Sequence, residues 1–227
     1  MSRINYRKNE DFFKTWTPKM SYVLGFMYAD GCIGDTRVLR FSNKNLFLLE
    51  NVKKFMEVEN PIYSRVFRSK NRKEASGYIL QIGSKKMYKD LISLGVTERK
   101  SLTSDFPSVP KKFLAYFFQG LIDGDGSIYV EKIKSKATRD SYIHTAKYKK
   151  SLFETLNIQI ASGSDKFLNS ILKIFPDFYK NTKAKYIRIK SKKAVNFGKY
   201  LYKDILVFSP KCNNYLNYIK KYVDNTN

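Results

Sequence analysis

The sequence predicts an α+β protein built from two similar halves, each with the element order α-β-β-α-β-β-α. Two observations lead to this prediction. A short pattern occurs twice, as LGFMYADG at residues 24–31 and as QGLIDGDG at residues 119–126. A matching series of strand and helix patterns follows each copy, which indicates an internal duplication. We expect the N-terminal half to span residues 1–105 and the C-terminal half residues 106–227.

The first half opens with a helix that Thr17 caps and that has Pro18 at its first position. This helix should end at Asp30, where Gly31 is a suitable C-terminal cap residue. Periodicity and turn residues then predict a hairpin over 32–42, a helix over 46–56, a hairpin from strands 61–68 and 77–83, and a helix over 85–94.

The second half repeats this order, beginning with a helix from Pro110 to Gly126. The patterns that follow predict a hairpin from strands 127–134 and 152–161, a helix over 165–175, a short hairpin over 177–190, a helix over 192–202 and a last helix over 213–222. The tip of the first of these hairpins, residues 135–150, is long and rich in Lys, Arg, Ser and Thr.

Small residues recur every four positions in both motif helices. They are Ser21, Gly25 and Ala29 in the first helix, and Gly120 and Gly124 in the second. Residues four apart share one helix face, and small side chains let two helix backbones approach closely. We therefore expect the two motif helices to pack against each other, with Asp30 and Asp125 side by side at their C-terminal ends.

The charge of the chain is strongly positive. It carries 43 Lys and Arg residues against 20 Asp and Glu residues, a net charge of +23 that both halves share. Such a charge repels itself unless a polyanion binds, so we expect nucleic-acid binding. The alternative is a solvated lysine-rich surface without a nucleic-acid partner.

Cysteine and histidine are too rare for a zinc site made of these residues alone. The chain has Cys32, Cys212 and one histidine, His144. Two thiols without an evident partner fit a reducing compartment. The sequence has no apolar run long enough for a membrane span and no secretory signal pattern. We therefore expect an intracellular protein of bacterial or archaeal cytoplasm, with an organelle matrix as the alternative.

Two neighbouring carboxylates predict a divalent metal site, because they repel each other unless a cation lies between them. Magnesium prefers oxygen ligands and retains several waters. Metal ions that contact both the attacking and the leaving oxygen serve in-line phosphodiester displacement. Asp30 and Asp125 in a very basic chain therefore point to metal-dependent chemistry on nucleic acid.

Residues 23–31 (VLGFMYADG) and 118–126 (FQGLIDGDG) resemble the two motifs of single-chain LAGLIDADG homing endonucleases. The resemblance covers most of the chain and includes residues 94–102 (LGVTERKSL) and 106–110 (FPSVP). It implies two pseudo-symmetric αββαββα halves, each with a four-stranded antiparallel sheet that lies in the DNA major groove. The implied activity is magnesium-dependent cleavage of both strands at a long asymmetric site, leaving 3′ overhangs.

The resemblance also implies roles for particular residues. Metal ligands would be Asp30 and Asp125, helped by the main-chain carbonyls of Ala29 and Gly124. Lys100 and Lys211 would stabilise charge or organise the attacking water, and Asn43 would hold solvent, with Gln159 or Ser162 as weaker candidates in the second half. Two or three Mg²⁺ ions are expected, with Mn²⁺ as a substitute and Ca²⁺ supporting binding without cleavage.

The first motif departs from the second at one position, since Tyr28 stands where the second motif has Asp123. That position is a less regular metal ligand in the family, so we do not interpret Tyr28 as a sign of inactivation.

Alternate residues on the strands should contact double-stranded DNA, with arginine suited to guanine and lysine to phosphate. The candidates are Arg37, Arg40, Arg65, Arg68, Arg72, Lys73, Lys132, Lys134, Lys136, Arg139, Lys147, Lys183, Lys185, Arg188 and Lys190. We expect a monomer that requires no protein partner. The alternatives are an RNA-binding intron maturase, and a non-catalytic DNA-binding regulator on the same scaffold.

Overall fold

The computed structural model describes residues 6–35, 37–69, 72–98, 105–134, 152–181 and 183–222. Its first half contains α1 (Pro18–Asp30), β1 (Gly31–Gly34), β2 (Val38–Asn43), α2 (Leu46–Phe55), β3 (Ile62–Ser69), β4 (Arg72–Gly83) and α3 (Lys85–Ser93). Its second half contains α4 (Leu114–Asp125), β5 (Gly126–Lys134), β6 (Leu152–Ala161), α5 (Asp165–Ile174), β7 (Tyr179–Asn181), β8 (Tyr186–Lys190), α6 (Ser191–Leu201) and α7 (Pro210–Tyr222).

The two halves share one sheet topology. The first sheet has the strand order β1-β2-β4-β3, the second has the order β5-β6-β8-β7, and the strand pairings among the described residues are all antiparallel. The predicted α+β class, the two four-stranded sheets and the order α-β-β-α-β-β-α are thereby confirmed.

One face of each sheet packs under the helices. Along β2 and β8 the buried residues alternate with more exposed ones, because successive side chains of a strand point to opposite faces. Leu39 and Phe41 of β2 are fully buried in the core, and Ile158 and Ile160 of β6 take the same place in the second sheet. We call the opposite face of each sheet, which carries Arg40 in the first sheet, the outer face.

Helices α1 and α4 form the centre of the molecule and pack along each other. The side chain of Thr17 accepts a hydrogen bond from the backbone N–H of Met20 at 3.0 Å, which confirms its predicted role as N-cap. A β-carbon added to Gly25 would lie 1.9 Å from the carbonyl oxygen of Phe117, and one added to Gly120 would lie 2.0 Å from that of Tyr22. The glycines therefore allow the two helix backbones to touch.

Gly31 caps the C-terminus of α1 as expected, and its backbone N–H donates to the carbonyl of Met27, although its conformation is extended rather than left-handed. Its φ is −100° and it begins β1, while Gly126 with φ −89° begins β5. A β-carbon on Gly31 would lie 2.8 Å from Cα of Met27, and one on Gly126 would lie 2.7 Å from Cα of Ile122. Glycine is needed here because each strand turns back against its own helix.

Two helix starts also differ from the prediction. A short 3-10 turn, Lys111–Phe113, precedes α4, whose regular α-helix therefore begins later than Pro110. Helix α7 begins at Pro210, three residues earlier than expected, because the hydroxyl of Ser209 accepts the N–H of Cys212 at 3.1 Å. No helix in the described part of the chain is long and apolar enough to cross a membrane.

Candidate active site

The site lies where α1 and α4 end. Asp30 and Asp125 are the last residues of these helices. A β-carbon added to Gly124 would lie 2.2 Å from Cβ of Ala29 and 3.2 Å from Oδ2 of Asp30. The carboxylate of Asp30 therefore lies against the backbone that immediately precedes Asp125.

Asn43, at the end of β2, fixes the orientation of Asp30. Its amide nitrogen donates to Oδ2 of Asp30 at 2.5 Å, while its Oδ1 accepts the backbone N–H of Asn45 at 2.7 Å. Asn45 in turn caps α2 through its own side chain. The start of α2 thus determines the direction of the Asn43 amide, and this amide positions one carboxylate.

Strand register identifies Ser162 as the matching residue in the second half. Gly31 pairs with Phe41, and Gly126 pairs with Ile160, so the residue two positions after each pair is Asn43 or Ser162. Oγ of Ser162 accepts the N–H of Ser164 at 3.2 Å, as Asn43 does with Asn45. Gln159, the other weak candidate, instead accepts hydrogen bonds from the side chain of Arg188.

Lys211, in the first turn of α7, reaches across to the end of α4. Its Nζ donates to the carbonyl oxygens of Ile122 at 2.7 Å, Asp123 at 2.9 Å and Gly124 at 2.8 Å. The last carbonyls of a helix lack partners within the helix, and a cation there also interacts favourably with the helix dipole. Lys211 thus satisfies the backbone of the very turn that carries Asp125.

Burial and the nearby carboxylates act in opposite directions on the pKa of Lys211. Burial lowers the pKa of Lys211 below its usual value, whereas the carboxylates of Asp123, Asp30 and Asp125 oppose this shift. Both motif aspartates therefore lie within electrostatic reach of a single lysine.

Asp123 is almost fully buried, and two hydroxyl groups donate hydrogen bonds to its carboxylate. The hydroxyl of Tyr22 donates to its Oδ2 at 2.8 Å, and the hydroxyl of Ser209 donates to its Oδ1 at 2.5 Å. Burial raises the pKa of Asp123 to about 6, while these hydrogen bonds and nearby Lys211 act in the other direction. Asp123 therefore joins α1, α4 and the start of α7.

Tyr28 occupies the corresponding position in the first half and packs against aromatic rings. Its ring stacks on Phe167 with 5.6 Å between centroids and meets Phe117 edge-on at 5.7 Å. The two motifs thus use this position differently, Tyr28 for aromatic packing and Asp123 for hydrogen bonding.

The donors at the site suit a hard divalent cation. Two carboxylates and main-chain carbonyls supply only oxygen, which magnesium and calcium prefer. Among the described residues, no group of three or more His, Cys, Asp and Glu side chains could hold a metal ion. Magnesium in proteins commonly takes one or two carboxylates together with water and substrate phosphate.

The predicted DNA-contacting residues fall in different places. Arg40, Arg65, Arg188 and Lys190 lie on the outer faces, while Arg37, Lys183 and Lys185 are exposed in the turns between strands. Lys132 instead lies on the face of β5 that is turned away from the outer face, together with Ile128. Its Nζ is 3.8 Å from Oε1 of Glu154.

Some sequence-predicted residues cannot be placed. Lys100, Lys136, Arg139 and Lys147 lie outside the described residues, as do the side chains of Arg68, Arg72, Lys73 and Lys134.

Sequence reasoning missed Ser209 and Tyr22, which position Asp123. Ser209 had a recognisable signal, because serine followed by proline is typical of a helix N-cap and first position. Tyr22 had none, since an apolar helix face gives no indication that its hydroxyl meets a carboxylate.

No family model matches the sequence, and no curated protein matches it. Several solved structures are similar. I-SmaMI, bound to an uncleaved DNA target with calcium ions, shares 14% identity over 91% of this chain and 90% of its own, with a TM-score of 0.51. The homing endonuclease I-WcaI, bound to its DNA recognition sequence, shares 15% over 85% of both chains, with a TM-score of 0.52.

The LAGLIDADG meganuclease I-AabMI, bound to uncleaved DNA, shares 10% identity over 91% of this chain and 90% of its own, with a TM-score of 0.52. At such identities the similarity concerns the fold. The chain has the fold of single-chain LAGLIDADG endonucleases, which confirms the fold that the motif resemblance implied.

Proposed function

We propose that this chain is a site-specific DNA endonuclease that makes a double-strand break at a long asymmetric duplex site. The observation that carries the proposal is the contact between the ends of α1 and α4, where the Asp30 carboxylate lies against Gly124 of the other helix. Two carboxylates meet there in a chain of net charge +23. The solved structures with this fold include endonucleases bound to DNA, which supports DNA as the substrate.

A divalent cation, Mg²⁺ by the donor chemistry, would be held by Asp30 and Asp125 with the carbonyls of Ala29 and Gly124. When bound, it would activate a water and neutralise charge on the scissile phosphate. We expect two or three such ions, replacement by Mn²⁺, and binding without turnover in Ca²⁺.

The protein residues around this site would orient and stabilise. Asn43 holds the carboxylate of Asp30 in one direction. We propose that its counterpart Ser162 would hold water in the second half. Lys211 places a positive charge beside both carboxylates, where it can offset charge on a cleaved phosphate. We propose the same role for Lys100 in the first half.

We propose a staggered cut that leaves 3′ overhangs, as the motif resemblance implies. An enzyme of this kind would act inside the cell, in bacterial or archaeal cytoplasm or in an organelle matrix. The uninterrupted DNA that flanks its coding frame is the first target to test.

The test is cleavage of a plasmid that carries this flanking sequence, with Mg²⁺, Ca²⁺ or a chelator present. Asp30→Asn and Asp125→Asn should each abolish double-strand cutting, because neither variant keeps both metal-binding carboxylates, while site binding should persist. Asp35→Asn is a matched control, since Asp35 lies in the β1–β2 turn with φ +52°, a backbone conformation that asparagine tolerates.

Full cutting by both motif variants in Mg²⁺, or rapid cutting in Ca²⁺ with Mg²⁺ excluded, would contradict the proposal. Tighter binding to structured RNA than to duplex DNA would favour the maturase alternative. Specific DNA binding by the wild type without any cutting would favour the non-catalytic regulator.

A further inference from the structure

The outer faces of the two sheets carry the same residue pair at the same position, but with the partners exchanged. In the first sheet Arg40 of β2 pairs with Gln81 of β4. In the second sheet Gln159 of β6 pairs with Arg188 of β8. The register makes these positions equivalent, because Phe41 and Ile160 are the residues opposite the first glycine of β1 and β5.

Both pairs lie close to the candidate active site. Arg40 faces Cys32, and Gln159 faces Ser127, and each of these β1 and β5 residues is two positions after its motif aspartate. Two residues of a strand span roughly 7 Å. A duplex that meets the carboxylates would therefore present its neighbouring base pairs to these side chains.

The hydrogen bonds within each pair use the same edge of the guanidinium group. In the first pair, Nε of Arg40 donates to Oε1 of Gln81 at 3.2 Å, and Nη2 donates to it at 2.9 Å. In the second pair, the same nitrogens of Arg188 donate to Oε1 of Gln159 at 3.2 and 2.9 Å. Each glutamine thus fixes the plane of its arginine through the Nε–Nη2 edge. The glutamine does not contact the other edge of the guanidinium group, which Nη1 and Nη2 form.

This second edge differs between the two arginines. Nη1 and Nη2 of Arg40 retain hydrogens with no other partner among the described residues, and this paired edge is the one that fits O6 and N7 of guanine. Nη2 of Arg188 also donates to the hydroxyl of Tyr186 at 3.1 Å. Its second hydrogen is therefore occupied.

Tyrosine rings hold Arg188 further in place. The guanidinium carbon is 4.9 Å from the ring centre of Tyr186 and 5.6 Å from that of Tyr129. Such cation–π contacts resist reorientation of the guanidinium group toward a base. Arg40 has no aromatic ring of this kind in the part of the chain that the structure describes.

We propose that Arg40, held by Gln81, reads a guanine close to the cleaved base pairs in the half of the duplex bound by the first sheet, whereas Arg188 attracts DNA without an equal preference for one base. This inference rests on the proposed function. It assigns different readout to the arginines of two residue pairs that the fold makes equivalent.

The experiment measures dissociation constants in Ca²⁺ for the bound site with each base pair near its centre replaced in turn. The proteins are the wild type, Arg40→Gln, Arg40→Lys and Arg188→Gln, with thermal melts to verify that each is folded. Arg40→Lys keeps the charge but loses the planar two-nitrogen edge. A good bidentate pair discriminates by about 1–3 kcal/mol, or about 5- to 150-fold in affinity.

We expect the wild type to prefer guanine at one such position by a factor in this range. Both Arg40 variants should lose that preference and leave the preferences at other positions unchanged. Arg188→Gln should weaken binding to every tested sequence by about the same factor. An unchanged guanine preference in the Arg40 variants would overturn the inference, as would an equal loss of preference in Arg188→Gln. Wild-type protein that binds no duplex would overturn the proposed function itself.

Discussion

Lys211 stabilises the end of the helix that carries Asp125. Its ammonium group donates to three successive carbonyls at the end of α4, and burial lowers its pKa. Hydrogen bonds from a charged donor contribute about 1.5–3 kcal/mol in favourable cases. The lysine that the motif resemblance assigned to catalysis therefore has a second role in positioning the turn before Asp125.

Lys211→Ala should lower the free energy of unfolding by about 1–3 kcal/mol, because three carbonyls lose their donor. Urea unfolding with a chelator present measures this effect without any contribution from a bound metal. Lys220→Ala is the control, since Lys220 is exposed in the last turn of the same helix. Equal stability of the two variants would mean that the contacts at Lys211 do not support the fold.

Asp123→Asn should separate the buried motif aspartate from the terminal one. The variant keeps the shape but replaces an acceptor oxygen with a donor, next to the hydroxyls of Tyr22 and Ser209. We expect a stability loss of about 1–2 kcal/mol, in the range for a disturbed buried hydrogen bond, with cleavage retained. Asp125→Asn should instead lose cleavage and keep its stability. Loss of cleavage in Asp123→Asn at full stability would assign Asp123 to the chemistry.

At this scale local spacing predicted the positions of the motif aspartates, whereas Asn43, Lys211 and Ser162 could be named only through the family resemblance. The placement of Asp30 and Asp125 follows from helical spacing, which a single sequence contains. The Asn43 side chain reaches Asp30 only because β2 pairs back against β1, and Ser162 becomes its counterpart only through the register of β6. Such relations depend on strand pairing and are not encoded in local sequence spacing.

At the scale of secondary-structure elements, the candidate site depends on the close packing of α1 against α4. Gly25 and Gly120 each face a carbonyl of the other helix, so even a methyl group at either position would overlap backbone atoms. Two rigid backbones cannot yield as a flexible side chain can. The separation of these helices therefore determines how close the two motif carboxylates lie.

Gly25→Ala and Gly120→Ala should each lower the free energy of unfolding by at least about 1–3 kcal/mol, the usual cost of overpacking. Chemical denaturation measures the change. Gly34→Ala and Gly83→Ala are matched controls, because a β-carbon at either position has no atom within 4 Å. Motif variants that are as stable as these controls would mean that the helices do not pack in this way.

Periodicity predicted most elements within a few residues, although β4 begins at Arg72, five residues before its predicted start. Other differences have identifiable causes. Helix α7 starts early because Ser209 and Pro210 form a cap that apolar spacing does not reveal. Gly31 and Gly126 begin strands because they pack against the preceding helix turn, whereas their sequence position resembles a helix cap. Element type depended on local pattern, and these boundaries depended on tertiary contact.

At the scale of the whole molecule, the two halves share a backbone plan but differ in their side chains. The equivalent residue pairs on the two outer faces carry their arginine on different strands. Arg188 of the second sheet lies between tyrosines, whereas Arg40 of the first sheet is held by Gln81 alone among the described residues. The duplicated topology could be predicted from the repeated motif. The exchange of Arg and Gln between strands could not, because it requires the register of both sheets.

We therefore expect one chain to bind one asymmetric duplex with a steep dependence on salt. Different outer-face side chains cannot read identical half-sites, so the target should not be a perfect palindrome.

The major groove of B-form DNA admits a β-ribbon, whereas that of A-form RNA is too narrow, so duplex DNA should bind more tightly than RNA. If the basic residues contact about 6–10 phosphates, affinity should fall by about 10³–10⁵ between 50 and 200 mM salt. Footprinting with sedimentation of the complex tests this, and a symmetric footprint occupied by two chains would contradict it.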